Sequence, residues 1–164
     1  ERQKEYMERV SAIWNHPGYP ACVQEIQKWE ADREFCRHTP EHFLAVARIA
    51  WILALENGLP ADRELVYAAG LLHDIGRHIQ YSQGIPHEKA GAELAESILR
   101  DCGFTDRETE QVLELILNHR TRQGGTDLPS LFYRADKLSR DCFSCPARVA
   151  CDWPEDRKNL KIRY

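Results

Sequence analysis

The chain has 164 residues, of which 43% are hydrophobic and 29% are charged, a composition that is typical of one folded domain and excludes disordered and low-complexity chains. Its formal net charge of −4 argues against broad binding to nucleic acid or to anionic lipid. No apolar run approaches the roughly 20 residues of a membrane-spanning helix, and no secretion signal opens the chain, so we expect a cytoplasmic protein with no membrane partner.

Apolar residues recur at spacings of three and four along most of the chain, and no useful stretch alternates as a strand would. We therefore predict an all-α bundle of about seven helices. The predicted helices span 1–15, 21–36, 40–57, 61–73, 86–101, 106–119 and 128–140. Thr105 and Glu108 match a capping box at the start of the sixth. The stretches 15–20, 77–85 and 121–129 contain proline or glycine and are predicted to be loops.

The most informative stretch is 71–77, Leu-Leu-His-Asp-Ile-Gly-Arg, because His73 and Asp74 are adjacent where an apolar helix ends. The unpaired carbonyls at such an end favour a cation. Gly70 and Gly76 flank the pair and would let another backbone or a ligand come close. A His-Asp pair alone is weak evidence for a metal site, since most such pairs are exposed to solvent.

Two distant residues strengthen the interpretation. His42 shares a helix face with Val46, so its ring is expected to point inward. Asp136 shares a face with Phe132 and is also expected to point inward. A buried carboxylate without a partner costs several kcal/mol, so either a metal ion or a paired arginine would explain Asp136.

His42, the His73-Asp74 pair and Asp136 together resemble the signature of the HD-domain superfamily of metal-dependent phosphohydrolases. The surrounding residues match as well, with Ala-Ala-Gly-Leu-Leu before His73 and the tripeptide Ala135-Asp136-Lys137 at the distant aspartate. The resemblance implies a single HD-domain helical bundle over 1–164. Its core would span about 39–140, with N-terminal helices over 1–36 and a cysteine-containing segment over 141–164.

His87 and His119 fall between the His-Asp pair and Asp136, where two-metal members of the superfamily carry two further histidines. The resemblance therefore implies six metal ligands, with Asp74 bridging two ions. The alternative is that His87 is a surface residue at a helix start and that His119 only complements a helix dipole.

The resemblance implies hydrolysis of a phosphate ester or anhydride by a metal-activated water, with a small phosphorylated substrate such as a nucleotide. The donor set suits one or two divalent ions of Fe, Mn, Co, Ni or Zn. We expect Asp74 to act in catalysis together with Arg77 and Lys137, which could hold the substrate phosphate. The alternative for both cations is a surface position, and for Lys137 the two interpretations have equal weight. His38, four residues before His42, is expected to support the metal ligands or contact substrate.

Two other functions remain open. The same six ligands occur in mixed-valent di-iron oxygenases of the superfamily, so ligand identity alone does not separate hydrolysis from oxygen chemistry. A regulatory module that binds a nucleotide without turning it over is the third possibility, although such a module has no need of a complete set of metal ligands.

Six cysteines are present, and three of them, Cys142, Cys145 and Cys151, lie close together just after Asp136. Their spacing suits thiolates that converge on a second centre, either zinc or iron–sulfur. Cys36 is the candidate fourth ligand. It precedes the helix of His42, and Cys142 follows the helix of Asp136. Since His42 and Asp136 are expected to meet at one metal, Cys36 and Cys142 are expected to be neighbours. The alternative is that these cysteines are buried, inert thiols.

Overall fold

The computed structural model describes residues 5–164, which form eight α-helices and one turn of 3-10 helix without any strand. The α-helices are α1 (Glu8–Asn15), α2 (Gly18–Trp29), α3 (Pro40–Glu56), α4 (Arg63–Leu72), α5 (Arg77–Gln83), α6 (His87–Asp101), α7 (Asp106–Asn118) and α8 (Leu128–Leu138), and the 3-10 turn is Cys142–Ser144. The all-α prediction is confirmed. No helix in the described part of the chain combines the length and apolar character needed to cross a bilayer.

Helix starts follow local sequence signals. Thr39 caps α3 by accepting a hydrogen bond from the backbone N–H of His42, and proline occupies the first turn. The capping box of Thr105 and Glu108 is present at the start of α7, as predicted. Asp127 caps α8 by accepting from the N–H of Ser130. These caps fix the helices that carry the candidate ligands.

Helix α3 is central and packs against both α4 and α8. Its buried face includes Phe43, Val46 and Leu53, which lie at helical spacing. Gly70 on α4 lies so close to α3 that a Cβ there would come within 2.5 Å of the Ala47 side chain. The predicted close approach at Gly70 is therefore present, and it brings the C-terminal end of α4 against α3 at Ala47.

Gly76 makes an even closer approach. A Cβ at this position would overlap the backbone oxygen of His87 and the backbone nitrogen of Gly91. Only glycine allows the turn after α4 to pack this tightly against α6. The turn that carries Asp74 and the helix that carries His87 are therefore held together.

Three predicted segments differ from the structure. Most of the stretch 77–85, predicted as a loop, forms α5, and the C-cap residue Gly84 has a φ of 74°. Helix α2 starts at Gly18 and ends at Trp29 instead of spanning 21–36, because side chains stabilise an irregular path beyond Glu30, among them Arg33, which donates to the backbone oxygen of Cys36 (2.8 Å). Helix α1 starts at Glu8; residues 1–4 of the predicted first helix lie outside the described range.

Candidate metal centre and substrate pocket

Six side chains from five helices or their ends converge inside the bundle. They are His42 in the first turn of α3, His73 at the C-cap of α4, Asp74 in the turn that follows, His87 at the start of α6, His119 at the C-cap of α7 and Asp136 on α8. All six are buried. We call this group the His/Asp cluster.

Asp74 lies at the centre of the His/Asp cluster and divides it into two sets. Its Oδ2 is 3.3 Å from His42 Nε2 and 3.1 Å from His73 Nε2. Its Oδ1 is 3.3 Å from His87 Nε2 and 3.6 Å from His119 Nε2. Asp136 closes the first set, because its Oδ1 lies within 3.5 Å of the Nε2 atoms of both His42 and His73. Each set could hold one metal ion, with Asp74 shared between them.

All four histidines are oriented by a hydrogen bond at Nδ1. The acceptors are Gly70 O for His73 (2.7 Å), Ile116 O for His119 (2.6 Å), Gln80 Oε1 for His87 (2.6 Å) and Ser139 Oγ for His42 (3.1 Å). The Ser139 hydroxyl itself donates to the backbone oxygen of Asp136 (2.6 Å), so it accepts from His42. With a proton on Nδ1, Nε2 is the nitrogen that faces the centre, and in a neutral ring it presents a lone pair there.

The inward nitrogens lack ordinary protein partners. The Nε2 atoms of His42 and His73 are buried and make no hydrogen bond, although carboxylate oxygens lie nearby. The Nε2 atoms of His87 and His119 are 3.0 Å apart, a distance at which two lone pairs repel each other. A shared cation relieves both features, and mixed imidazole and carboxylate donors suit divalent transition metals. The residues present therefore fit a divalent metal.

The electrostatics of the His/Asp cluster also favour a cation. Burial acts to raise the pKa of Asp74, but His73, His38 and Arg77 hold it well below its usual range. Burial lowers the pKa of His73, but Asp74 and Asp136 outweigh this effect and raise it to about 10, so in the absence of an ion this ring carries the positive charge that the two carboxylates attract. Burial lowers the pKa of His87 to about 2, which keeps this imidazole neutral. The carboxylates stay ionised and attract positive charge.

A pocket of about 310 Å³ opens beside Asp136. Its lining contains five basic residues and two acidic ones, Asp136 and Asp152, so basic residues predominate. The basic residues are Arg33, Arg77, Arg120, Lys137 and Arg140. Two aromatic residues, Phe35 and Trp153, also form part of the wall. We call this space the basic pocket.

Both predicted phosphate-binding cations lie at the edge between the His/Asp cluster and the basic pocket. Arg77 Nε donates to Asp74 Oδ1 (3.3 Å), and its side chain is 22% exposed. Lys137 Nζ donates to Asp136 Oδ2 (2.7 Å) and is 39% exposed. Besides the histidines of the cluster, the partner of Asp136 is therefore this lysine and not an arginine. Each cation retains donors that a ligand in the pocket could use.

His38 lines the basic pocket and is held by Glu30, which Tyr81 holds in turn, and neither of these two residues was predicted from the sequence. Glu30 accepts hydrogen bonds from the backbone N–H of His38 (2.7 Å), from its Nδ1 (2.5 Å) and from the Tyr81 hydroxyl (2.5 Å). Burial acts to raise the pKa of Glu30, but these donors lower it to about 2. The buried carboxylate thus fixes the position of His38.

We expect the Glu30→Gln variant to lose about 3 kcal/mol of unfolding free energy at neutral pH, because the pKa of Glu30 falls from about 4.5 to about 2 on folding. Because folding lowers the pKa of Glu30, its ionised carboxylate stabilises the fold at pH values above about 4.5. This contribution disappears as the pH falls from about 4.5 toward 2. Urea unfolding of both proteins over this range measures it. The exposed Glu34→Gln variant is the control, and a constant difference between wild type and Glu30→Gln at all pH values would contradict the assignment.

The four cysteines singled out from the sequence line one cavity of about 340 Å³, which also touches His42. Burial raises the pKa of the Cys36 thiol, Arg140 lowers it, and the other three cysteines raise it, so all three lie within electrostatic range of Cys36. Cys142 is buried, and the other three are half-buried. We call this space the cysteine cavity.

Gln80 and Ser139, which orient His87 and His42, were not predicted from the sequence. Gln80 lies on α5, the helix predicted as a loop, so its direction could not be inferred. Ser139 follows Asp136 by three residues, and the helical spacing of the two was a usable signal. The orientation of His87 therefore depends on packing between α5 and α6, which no local pattern indicates.

A model of the HD domain matches residues 39–152, which is more than half of the chain. The chain therefore belongs to the HD domain family, and this membership together with the His/Asp cluster supports a hydrolase that binds a divalent metal.

Similar proteins and a similar solved structure agree with this family membership. An uncharacterized protein of Clostridium beijerinckii is 40% identical over 96% of this chain and 100% of its own length. Ribonuclease Y of Enterococcus faecalis is 30% identical over 85% of this chain, which corresponds to only 25% of that enzyme. The crystal structure of a predicted HD superfamily hydrolase from an uncultured Thermotogales bacterium has a TM-score of 0.60 and 24% identity, and the match covers 92% of this chain and 87% of that one. At this identity, the structural match shows the shared fold.

Proposed function

We propose that this protein is a metal-dependent phosphohydrolase that cleaves a phosphate ester or anhydride of a nucleotide or related metabolite. The observation that carries the proposal is that the His/Asp cluster borders the basic pocket through Asp136, Arg77 and Lys137. A divalent cation site beside a cationic pocket suits a substrate whose reacting group is a phosphate.

The first ion would be held by His42, His73, Asp74 and Asp136, and the second by Asp74, His87 and His119. When bound, such ions supply a water of lowered pKa and offset negative charge on the phosphoryl group. The chain's own contribution is orientation. Hydrogen bonds at Nδ1 hold every imidazole in one tautomer, and the buried position of the donors keeps bulk water from competing with them.

Arg77 and Lys137 would hold the phosphate. Arg77 uses its Nε for Asp74, which leaves its terminal nitrogens for two parallel hydrogen bonds to phosphate oxygens. Lys137 adds a second positive charge beside Asp136. His38, fixed by Glu30, would contact the substrate from the pocket wall.

The aromatic walls of the basic pocket support a nucleotide. Phe35 is 38% exposed, and Trp153 shares the pocket with it. Aromatic rings stack on nucleobases, and each such contact contributes about 1–3 kcal/mol. The similarity to part of ribonuclease Y agrees with a substrate built from nucleotides.

A screen of phosphate release tests the function. Purified protein, loaded in turn with Mn, Fe, Co, Ni or Zn, is incubated with nucleoside phosphates, dinucleoside polyphosphates, cyclic dinucleotides and short RNA, with and without oxygen. We expect oxygen-independent cleavage of at least one phosphate bond. Oxygen consumption without cleavage would instead identify an oxygenase, and nucleotide binding without turnover would identify a regulatory module; either result would contradict the proposal.

We expect the Arg77→Ala variant to raise KM for the phosphorylated substrate by about tenfold or more, because a charge-assisted hydrogen bond contributes about 1.5–3 kcal/mol. Arg77→Lys should restore only part of the affinity, since lysine keeps the charge without the planar fork. Steady-state kinetics measure both variants, with the exposed Arg107→Ala as control. Unchanged kinetics in Arg77→Ala would remove Arg77 from the substrate site.

A further inference from the structure

The chain beyond α8 folds as a series of tight turns rather than as a long helix. The backbone N–H of Cys145 donates to Cys142 O, that of Arg148 to Cys145 O, and that of Cys151 to Arg148 O. Each hydrogen bond spans three residues, so the chain turns tightly between one cysteine and the next. These turns keep Cys142, Cys145 and Cys151 close together, and all three line the cysteine cavity.

Cys36 reaches the cysteine cavity from a distant part of the chain, the irregular segment between α2 and α3. Arg140, just after α8, donates to the backbone oxygen of Arg37 (2.8 Å). Arg33 donates to the backbone oxygen of Cys36 itself (2.8 Å). The position of Cys36 near the three C-terminal cysteines is thus fixed by hydrogen bonds to its own residue and to the next one.

We propose that Cys36, Cys142, Cys145 and Cys151 ligate an iron–sulfur cluster of the [4Fe–4S] type in the cysteine cavity. Four thiolates are the ligand set of such a cluster, and a pair of cysteines separated by two residues is a common part of it. This centre is separate from the metal ions of the His/Asp cluster.

The spacing of the sulfurs favours a cluster over one zinc ion. With Zn–S distances of about 2.3 Å, tetrahedral zinc brings its four sulfurs to about 3.8 Å from one another. Among residues 5–164, the groups of three or more metal-ligand atoms that all lie within 4.8 Å of one another are the two sets of the His/Asp cluster, and the cysteines form no such group. Thiolates around an iron–sulfur cluster stand farther apart because iron and sulfide lie between them, and the 340 Å³ cavity offers that room.

The charge of the cysteine cavity fits the same occupant. Its lining contains two acidic residues, Glu41 and Asp141, against four basic ones. The basic residues are Arg37, Arg140, Arg148 and Lys158. A cluster bound by four thiolates carries net negative charge, which these cations offset.

The cluster would also shape the substrate site. Cys36, Cys151 and Trp153 line both the cysteine cavity and the basic pocket. Linking Cys36 to Cys151 through a cluster would hold Trp153 in place as part of the pocket wall. The role assigned to the cluster is structural and requires no change of its oxidation state.

The test is the content of iron and acid-labile sulfide in the full 164-residue chain, purified without oxygen and reconstituted with ferrous iron and sulfide. We expect about four sulfide ions per chain, and about four iron ions in addition to any that the His/Asp cluster holds. Wild type reduced with dithionite should give the electron paramagnetic resonance signal of a reduced cluster. Sulfide is specific for the cluster, because metal ions in the His/Asp cluster bring none.

Cys145→Ser should lose the sulfide and melt at a lower temperature, while metal stays bound at the His/Asp cluster. The matched control Cys102→Ser, which changes a half-buried cysteine outside the cavity, should keep the sulfide, as should Asp74→Ala. Wild type without acid-labile sulfide after reconstitution would overturn the proposal even if Cys145→Ser fails to fold. So would a single zinc ion that is lost in Cys145→Ser, or sulfide that is retained in that variant.

Discussion

Replacing Asp74 with alanine is expected to lower kcat by at least about a thousandfold and to strip metal from the protein. The reason is that the two oxygens of Asp74 face different sets of histidines, so one substitution removes a donor from both ion sites. Bound metal ions stabilise the charge of the transition state by several kcal/mol, and losing this stabilisation lowers the rate by a factor of this size. Phosphate release and metal content, measured on the same preparation, check both expectations.

The control for this variant is Asp32→Ala, which removes an exposed carboxylate outside the His/Asp cluster. Circular dichroism of Asp74→Ala should show that the helices remain. A folded Asp74→Ala protein with the metal content and turnover of wild type would contradict the assignment of Asp74 as the shared ligand.

The second large effect is expected for Gly76→Ala, which should lose about 3 kcal/mol of unfolding free energy. A Cβ at this position would overlap backbone atoms of His87 and Gly91, and backbone cannot move aside as a flexible side chain can. Separating the turn from α6 would also displace His87 from Asp74. Urea unfolding and metal titration should therefore both change.

Gly91→Ala is the matched control, because it lies in the same contact but its Cβ would come no closer than 3.4 Å to Gly76. We expect this variant to stay near wild-type stability and to bind metal normally. Equal stability losses in Gly76→Ala and Gly91→Ala would contradict the role given to the close approach at Gly76.

The parts of the fold that could be predicted from sequence are those governed by local rules. The capping box of Thr105 and the proline after Thr39 marked helix starts correctly, since each satisfies backbone groups within one turn. Helix α5 could not be predicted in this way. It is short and packs against α2 and α6, so tertiary contacts rather than its own sequence decide its state.

In the candidate site, too, some features could be predicted from the sequence and others could not. The six proposed ligands could be named because their order along the chain resembles a known family, and the structure brings all six together. The tautomers could not be predicted, because they depend on acceptors such as Gln80 and Ser139 that become neighbours only on folding. The Glu30–His38 pair was missed for a related reason, as its geometry depends on an irregular segment without periodicity.

The most direct test of the two-ion centre is anomalous X-ray diffraction from crystals of the protein grown with an excess of manganese or iron. We expect two peaks, one among His42, His73, Asp74 and Asp136 and one among Asp74, His87 and His119. Crystals that show these side chains well ordered, with no anomalous peak among them, would contradict the assignment.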